Sequence, residues 1–238
     1  MAGMAGSDEV ELDRLELADW RRRVSDLYAE VRSTAHTSPL LAWDHWRESR
    51  EWLYRNHPQS PVPAADRAAF RAHHWPYDPA LRLEVAVVRE ATPTAESAPG
   101  PSSASPLGGL SFGGGLGALL LPVSTGGEQS FARIGFLDVP FAAGTRRLGL
   151  YWMAGYAGGL FLPFRDATNG AETYGAGRYL LDAAKSADLG GDPGAGTLIL
   201  DFNFAFQPSC AFDPRWACPL SPPENRLDVR IEAGERLT

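Results

Sequence analysis

The chain has 238 residues, of which 44% are hydrophobic and 21% are charged, as is ordinary for a globular protein with a sizeable core. Its formal net charge of −7 at pH 7 argues against a nucleic-acid partner, because nucleic-acid-binding proteins need a basic surface to displace counterions from phosphates. Lys185 is the sole lysine, and no glycine-rich loop precedes it, which excludes a P-loop nucleotide site.

The sequence carries no recognisable targeting or membrane-spanning segment. Its first residues, MAGMAGSDEV, lack the apolar stretch of a secretory signal peptide. The most apolar window, residues 116–123, is far shorter than the roughly 20 residues that span a bilayer. We therefore predict a soluble, cytoplasmic protein without a membrane partner, in which Cys210 and Cys218 are free thiols.

Apolar residues at helical spacing predict two amphipathic helices in the N-terminal third. The first spans residues 8–32, and the second spans about 42–56 and stops before a proline-rich stretch. A further short helix is predicted at residues 64–73, so that residues 1–79 form an N-terminal helical region. Four tryptophans of this region are expected to pack the helices onto the rest of the fold, with a partner-binding aromatic surface as the alternative: Trp43, Trp46, Trp52 and Trp75.

From residue 81 the apolar period changes to two, which predicts an antiparallel β-domain over residues 80–238. Residues 91–106, rich in Ala, Pro and Ser, are predicted to be a disordered insert. The predicted strands lie near residues 81–88, 111–123, 130–137, 146–153, 159–164, 172–181, 197–206 and 226–232. No helical periods intervene, so we predict an α+β fold with the N-terminal helices packed on a mainly antiparallel β-sandwich or partly closed β-barrel.

The predicted strand at residues 197–206 alternates strictly between apolar and other residues. Its apolar face is assigned to the core and consists of Leu198, Leu200, Phe202, Phe204 and Phe206. Asp201 and Asn203 then project from the opposite face, two residues apart. That face is either solvated or lines a cavity in which both side chains have partners.

Residues 159–179 combine a predicted strand, a turn and a group of polar side chains. One interpretation is structural: Asp166 forms an Asx turn with the backbone that follows it, and Arg178 pairs with a carboxylate. The other interpretation is functional: Arg165, Tyr174 and Arg178 bind a carboxylate or phosphate, which suits the planar donor fork of arginine.

Cys210 and Cys218 lie eight positions apart in the segment PSCAFDPRWACP. They are interpreted as buried thiols, as a disulfide that closes a short loop, or as two soft ligands of a metal. No zinc-binding motif is present, and the five histidines all lie in the first third of the chain. The sequence therefore predicts no metal site, and these two cysteines are the candidate ligands if one exists.

Two blocks resemble the signature of DUF1684, a prokaryotic domain family of unknown function. They are LFLPFRDATNGAETYGAGRY at residues 160–179, and residues 200–236, which begin LDFNFAFQPSCAFDPRWACPLSPPENR. The resemblance implies one DUF1684-like unit over residues 46–238, and the family has no established activity that could be carried over to this chain. The Ala/Pro/Ser-rich insert departs from the family pattern, as do Phe204 and Phe206, which replace a more polar or tyrosine-containing run.

The leading hypothesis for function is a soluble module that binds a small anionic or polar metabolite, with or without catalysis. Its predicted ligand-binding residues are Arg165, Asp166, Thr173, Tyr174, Arg178, Asp201, Asn203, Glu224 and Asn225. A structural or protein-interaction domain is the first alternative, and there Arg178 and the carboxylates pair with one another. A hydrolase is the second alternative, with two carboxylates drawn from Asp166, Glu172, Asp201 and Glu224. No catalytic residue, cofactor or oligomeric state is assigned.

Overall fold

The computed structural model describes residues 5–89, 118–155 and 158–237 of the chain. Two N-terminal helices pack against a curled antiparallel sheet that has the shape of a half-barrel. The predicted α+β class, with the helices at the N-terminus, is thus confirmed. The predicted insert at 91–106, and the first part of the strand predicted at 111–123, lie outside the described residues.

The helices form an antiparallel hairpin, with α1 over Ala5–Ala35 and α2 over Pro39–Asn56. Pro39 lies in the first turn of α2, where a helix does not need the missing N–H. Trp20 of α1 stacks on Tyr54 near the end of α2, with 6.1 Å between ring centroids, as opposite helix directions require. In the described part of the chain, no helix has the length and apolar character needed to cross a bilayer.

The short helix predicted at residues 64–73 is wrong, because residues 64–69 form successive turns. Hydrogen bonds from a side chain to nearby backbone compete with helix formation there. The Arg67 side chain donates to the carbonyls of Val62 and Pro58, both at 3.0 Å.

All strand pairs of the two sheets are antiparallel. The strands are β1 (His73–His74), β2 (Arg82–Val88), β3 (Ala118–Pro122), β4 (Glu128–Phe141), β5 (Gly144–Met153), β6 (Gly159–Phe164), β7 (Arg178–Asp182), β8 (Gly191–Asp192), β9 (Thr197–Asp201) and β10 (Glu235–Arg236). The main sheet has the order β7-β6-β5-β4-β2-β9-β8, and β3 pairs with the first part of β4. The short strands β1 and β10 pair with each other, which connects the segment after α2 to the C-terminal segment.

Apolar side chains cover both faces of the main sheet. A first cluster, with Trp46, Phe161 and Phe204, lies between the sheet and the helices. A second cluster lies on the opposite face, where Leu148 packs under C-terminal residues such as Ile231. Every residue of β7 is buried, as expected for a strand between two apolar layers.

The strand predicted at residues 197–206 is too long. Strand β9 ends at Asp201, whose carboxylate accepts the backbone N–H of Asn203 at 3.1 Å and starts a 3₁₀ turn over Phe202–Phe204. Because the alternation breaks there, Phe202 enters the second apolar cluster, whereas Phe204 enters the first. The assignment of all five apolar residues to one face is therefore wrong.

Two further strand predictions fail because side chains replace sheet hydrogen bonds. The strand predicted at 172–181 begins only at Arg178, and the residues before it form turns. Residues 226–232, predicted as a strand, are irregular. In that segment the N–H of Ile231 donates to the Asp166 carboxylate at 2.8 Å instead of to a neighbouring strand.

Candidate functional site

Arg178 is fully buried at the start of β7 and binds the C-terminal segment. Its guanidinium donates to the carbonyls of Ile231 at 2.9 Å and Glu235 at 3.2 Å, and to that of Ala233. The Asp166 carboxylate lies 3.4 Å from Nη2. Burial lowers the pKa of Arg178, and the charge of Asp166 opposes that shift. The donors of this arginine thus hold the polypeptide together.

Asp166 organises the turn that precedes Arg178. Its two oxygens accept the Thr168 hydroxyl at 2.9 and 3.0 Å, and the Thr173 hydroxyl lies 3.0 Å from that of Thr168. Arg165 donates to a backbone carbonyl of the same turn. We call this group the Arg178 cluster: Arg165, Asp166, Thr168, Thr173 and Arg178.

Asp201 and Asn203 form a second group, the Asp201 cluster, with Tyr77, Asp78 and Arg82. Both side chains are buried. Asp201 lies 3.1 Å from Nη1 of Arg82, and the Asn203 amide exchanges two hydrogen bonds with the backbone of Asp78, both at 2.8 Å. Burial raises the pKa of Asp201, whereas the bonds from Asn203 and Arg82 lower it. This cluster fastens the segment before β2 to the end of β9.

Glu224 and Asn225 form a third group, the Asn225 cluster, with Gly149, Tyr151 and Pro163. The buried Asn225 amide binds both backbone groups of Gly149, at 2.6 and 2.9 Å, and the carbonyl of Pro163 at 2.7 Å. Glu224 accepts the Tyr151 hydroxyl at 2.7 Å. Asn225 thus ties the C-terminal segment to β5 and β6.

The predicted ligand-binding residues are therefore divided among three hydrogen-bonded clusters, of which the Arg178 and Asn225 clusters adjoin, because the Arg165 N–H donates to the Asn225 carbonyl at 2.9 Å. Four belong to the Arg178 cluster, two to the Asp201 cluster and two to the Asn225 cluster. Tyr174 belongs to none of these, because its side chain packs in the first apolar cluster and forms a hydrogen bond with Cys210. Each cluster joins distant parts of the backbone, which is the arrangement expected of polar groups that stabilise a fold.

Cys210 and Cys218 are free thiols that contact each other. The Cys210 N–H donates to the Cys218 sulfur at 3.3 Å, and the Cys218 N–H donates to the Ser124 hydroxyl at 3.0 Å. Hydrogen bonds from the Cys218 thiol and the Tyr174 hydroxyl lower the pKa of Cys210 to about 6, although burial opposes this. The same contact and burial raise the pKa of Cys218.

No group of three or more potential metal-ligating side chains occurs within residues 5–89, 118–155 and 158–237. The two cysteines therefore lack further protein ligands of the usual kind in this part of the chain.

A groove of about 510 Å³ runs between the exposed sides of α1 and α2. We call it the helix groove. Leu27 and Leu53 lie at its floor, and Trp52 forms one wall with its side chain 51% exposed. The Arg23 guanidinium lies 5.6 Å from the centre of the Trp52 ring. The remaining polar lining includes Asp26, Glu30, His45 and Glu48.

The comparisons with known proteins place the chain in a family. The model of DUF1684, described as a protein of unknown function, matches residues 117–236, which is half of the chain. The chain belongs to the DUF1684 family. It is similar to a solution NMR structure of an uncharacterized protein of Haloarcula marismortui, with 27% identity, a TM-score of 0.53, and coverage of 80% of this chain and 90% of that chain. No curated protein matches the chain.

Within this DUF1684 protein, the family match contains most of the polar residues of the clusters and both cysteines. Tyr77, Asp78 and Arg82 of the Asp201 cluster precede it, and so do α1 and α2 with their groove.

Two features of these sites were not predicted from the sequence. Ser124, which holds the cysteine loop, is 94 positions from Cys218, and a lone serine gives no sign of such a contact. The sequence gives only a weak indication that Trp52 is exposed. The buried face of α2 includes Trp43, Trp46 and Leu53, and Trp52 lies beside this face. Of the four tryptophans, only Trp52 departs from the predicted core packing.

Proposed function

We propose that this DUF1684 protein is a protein-interaction domain whose helix groove docks an amphipathic segment of a partner protein. The observation that carries the proposal is Trp52, which is 51% exposed in a groove between two helices. Tryptophan in such a position is a frequent hot spot of interfaces, because it buries a large area at a small cost in side-chain entropy.

A metabolite site at the nine residues predicted from the sequence is the weaker proposal. Arg178 is fully buried and its two Nη atoms are already bound to Asp166 and to backbone carbonyls, which leaves the buried Nε as the donor without a partner. The carboxylate hydrolase is weaker for a related reason: Asp166, Asp201 and Glu224 belong to three different clusters. The fourth candidate, Glu172, forms an ion pair with Arg230 at 2.6 Å. A reaction would need two of them on either side of one substrate.

The charges of the helix groove favour a basic partner. Its lining includes the carboxylates of Asp26, Glu30 and Glu48 against the single guanidinium of Arg23. Complementary charge steers association and selects the partner. Together with the apolar floor, these charges favour a helix or extended segment that has leucine-like side chains on one face and Arg or Lys beside them.

Two synthetic peptides test this proposal on the full chain. Both carry leucine at i, i+4 and i+7, and the flanking positions are arginine in one peptide and glutamate in the other. Titration into isotope-labelled protein, followed by amide NMR spectra, should shift resonances of α1 and α2 around Leu27 and Trp52 with the arginine peptide alone. Shifts confined to the sheet, or no shifts with either peptide, would overturn the proposal.

A matched pair of tryptophan variants sharpens the test. Loss of a hot-spot tryptophan costs about 2 kcal/mol, so Trp52→Ala should weaken binding of the arginine peptide roughly 30-fold. Trp152→Ala is the control, since Trp152 is also exposed, at 44%, but lies on β5. Equal affinities for the two variants would show that the peptide does not use the groove.

We also propose a cytoplasmic location for the domain. The support is cysteine usage: the chain has two cysteines, far fewer than the disulfide-rich domains of oxidising compartments. Fluorescence microscopy of the tagged full chain in its native cells tests this, and a signal confined to the cell envelope would contradict it.

A further inference from the structure

We infer that Cys210 and Cys218 form an oxidisable dithiol site, at which Cys210 reacts with a hydroperoxide and Cys218 then closes a disulfide. This inference is independent of the helix groove, because it depends on the segment after β9 and on the turn that holds Ser124.

The geometry already brings the two thiols into contact. Cys210 lies in a 3₁₀ turn over Ser209–Ala211, and its N–H donates to the Cys218 sulfur at 3.3 Å. The two side chains also share a hydrogen bond. A disulfide requires the sulfurs to approach to about 2.05 Å, and the Cys218 sulfur already touches the backbone of Cys210.

The surroundings of the two sulfurs are unequal and favour Cys210 as the nucleophile. The Cys218 thiol and the Tyr174 hydroxyl both form hydrogen bonds with the Cys210 side chain, and they lower the pKa of its thiol to about 6. The Cys218 pKa is raised, so Cys218 stays protonated. Because the thiolate is the reactive form, Cys210 attacks first and Cys218 is the resolving thiol.

Other titratable groups near the two sulfurs do not compete for this role. They are Tyr54, Tyr174, Tyr179 and Lys185. Burial raises the pKa of all three tyrosines, so they keep their protons near neutral pH and donate rather than accept. Lys185 is a cation near both sulfurs that forms an ion pair with Asp182 at 2.9 Å, and its charge slightly offsets the rise in the pKa of Cys218.

The site lies close under the protein surface. Between the cysteines, Pro214 and Arg215 are exposed, and Ser124 lies in an exposed turn. The Ser124 hydroxyl accepts the Cys218 N–H and donates to the Trp216 carbonyl at 2.7 Å, so one serine holds the loop that covers the sulfurs. Hydrogen peroxide is small enough to enter through local opening of such a loop.

The reaction balances with hydrogen peroxide as the oxidant. The Cys210 thiolate attacks one peroxide oxygen, the O–O bond breaks, and the departing hydroxide takes a proton to form water. Cys210 is then a sulfenic acid. The Cys218 sulfur attacks the Cys210 sulfur, the S–O bond breaks, and the hydroxide leaves as water with the Cys218 proton. Two thiols thus lose two electrons and peroxide becomes two waters.

Peptide mass spectrometry of the full chain after peroxide treatment and alkylation tests the inference. We expect a pair of peptides linked by a disulfide between Cys210 and Cys218, with a mass two hydrogen atoms below the sum of the free peptides. A thiol reductant should release the two free peptides again. In untreated protein, limited alkylation at neutral pH should label Cys210 before Cys218. This measurement uses the unsubstituted chain. If both cysteines stay fully alkylatable after peroxide, or Cys218 is labelled first, the inference is wrong.

Single variants separate the two roles. Cys218→Ser should accumulate a sulfenic acid on Cys210 that dimedone traps. Cys210→Ser should react at least about tenfold more slowly, because the thiolate fraction falls tenfold for each unit by which the pKa exceeds the pH. Equal rates would contradict the assignment.

Tyr174→Phe should slow oxidation several-fold, whereas Tyr77→Phe, in the Asp201 cluster, should leave the rate unchanged.

Discussion

Two arginine–tryptophan pairs of this protein have similar geometry in opposite surroundings. The guanidinium of Arg178 lies 5.2 Å from the centre of the Trp75 ring, and that of Arg23 lies 5.6 Å from the centre of the Trp52 ring. Each guanidinium also pairs with an aspartate. The first pair is buried among backbone carbonyls, whereas the second faces water. Residue types alone therefore do not separate an arginine that holds the fold from one that is available to a partner.

The physical difference between the two pairs is the cost of removing one member. On the surface, water replaces a lost partner and screens the remaining charge. In the interior nothing replaces it, so the remaining charge and the carbonyls stay desolvated and unpaired. In each of the following tests, a substitution at a buried residue is compared with one at an exposed residue of the same type, and the buried one should have the larger effect on stability.

We expect the largest effect from Arg178→Ala. It should lower the free energy of unfolding by about 3–5 kcal/mol, because it leaves the buried Asp166 without its counterion. Arg23→Ala is the matched control and should change that free energy by less than about 1 kcal/mol. Urea denaturation measures both, and similar losses in the two variants would refute the comparison.

Asn225→Ala should have the next largest effect. The substitution removes three hydrogen bonds to the buried backbone of Gly149 and Pro163, and we expect a loss of about 2–3 kcal/mol. Asn56→Ala provides the control, since the exposed Asn56 amide also binds a backbone carbonyl, that of Trp52 at 2.7 Å. A control loss as large as that of Asn225→Ala would mean that burial does not decide the cost.

The smallest effect should come from the histidines and depend on pH. Burial lowers the pKa of His74 to about 4, from 6.5. Below pH 6.5 the unfolded chain binds a proton that the folded chain does not, so the free energy of unfolding falls as the pH drops from 6.5 to 4. His74→Phe should flatten the loss across this window, as measured by thermal unfolding.

His45→Gln is the control for this pH dependence. His45 lies in the helix groove, where its Nε2 is 2.8 Å from the Glu30 carboxylate. Its side chain is 44% exposed, and we expect the substitution to leave the pH profile of unfolding unchanged. A flattened pH profile in His45→Gln, with the profile of His74→Phe unchanged, would reverse the assignment.

The sequence is informative about the fold wherever an apolar period persists. Both helices and β2 lie close to their predicted positions, because their spacing repeats over several turns or pairs. At Asp201 the apolar period continues to Phe206, yet the chain turns. One hydrogen bond from a carboxylate to the backbone decides that turn, and a hydrophobic pattern carries no information about it.

Polar partners are less predictable from sequence than apolar faces. The residues Asp166, Arg178 and Asn225 can be singled out as unusual, but their partners are mostly backbone groups of segments distant in sequence. Every residue has such groups, so no residue type marks the carbonyl that Arg178 will bind. The sequence therefore predicts polar interactions at these positions without predicting whether they face a ligand or the protein itself.

The position of Arg178 has a consequence for how the protein is made. Its carbonyl acceptors at Ile231 and Glu235 follow it by 53 and 57 residues. While a ribosome is still translating the residues between them, the arginine has no acceptors to bury against, and an unpaired guanidinium opposes closure of the core. Most of the sheet can therefore be synthesised before its native packing is attainable. Nascent chains of this protein should stay open to chaperones and proteases until residue 235 has emerged.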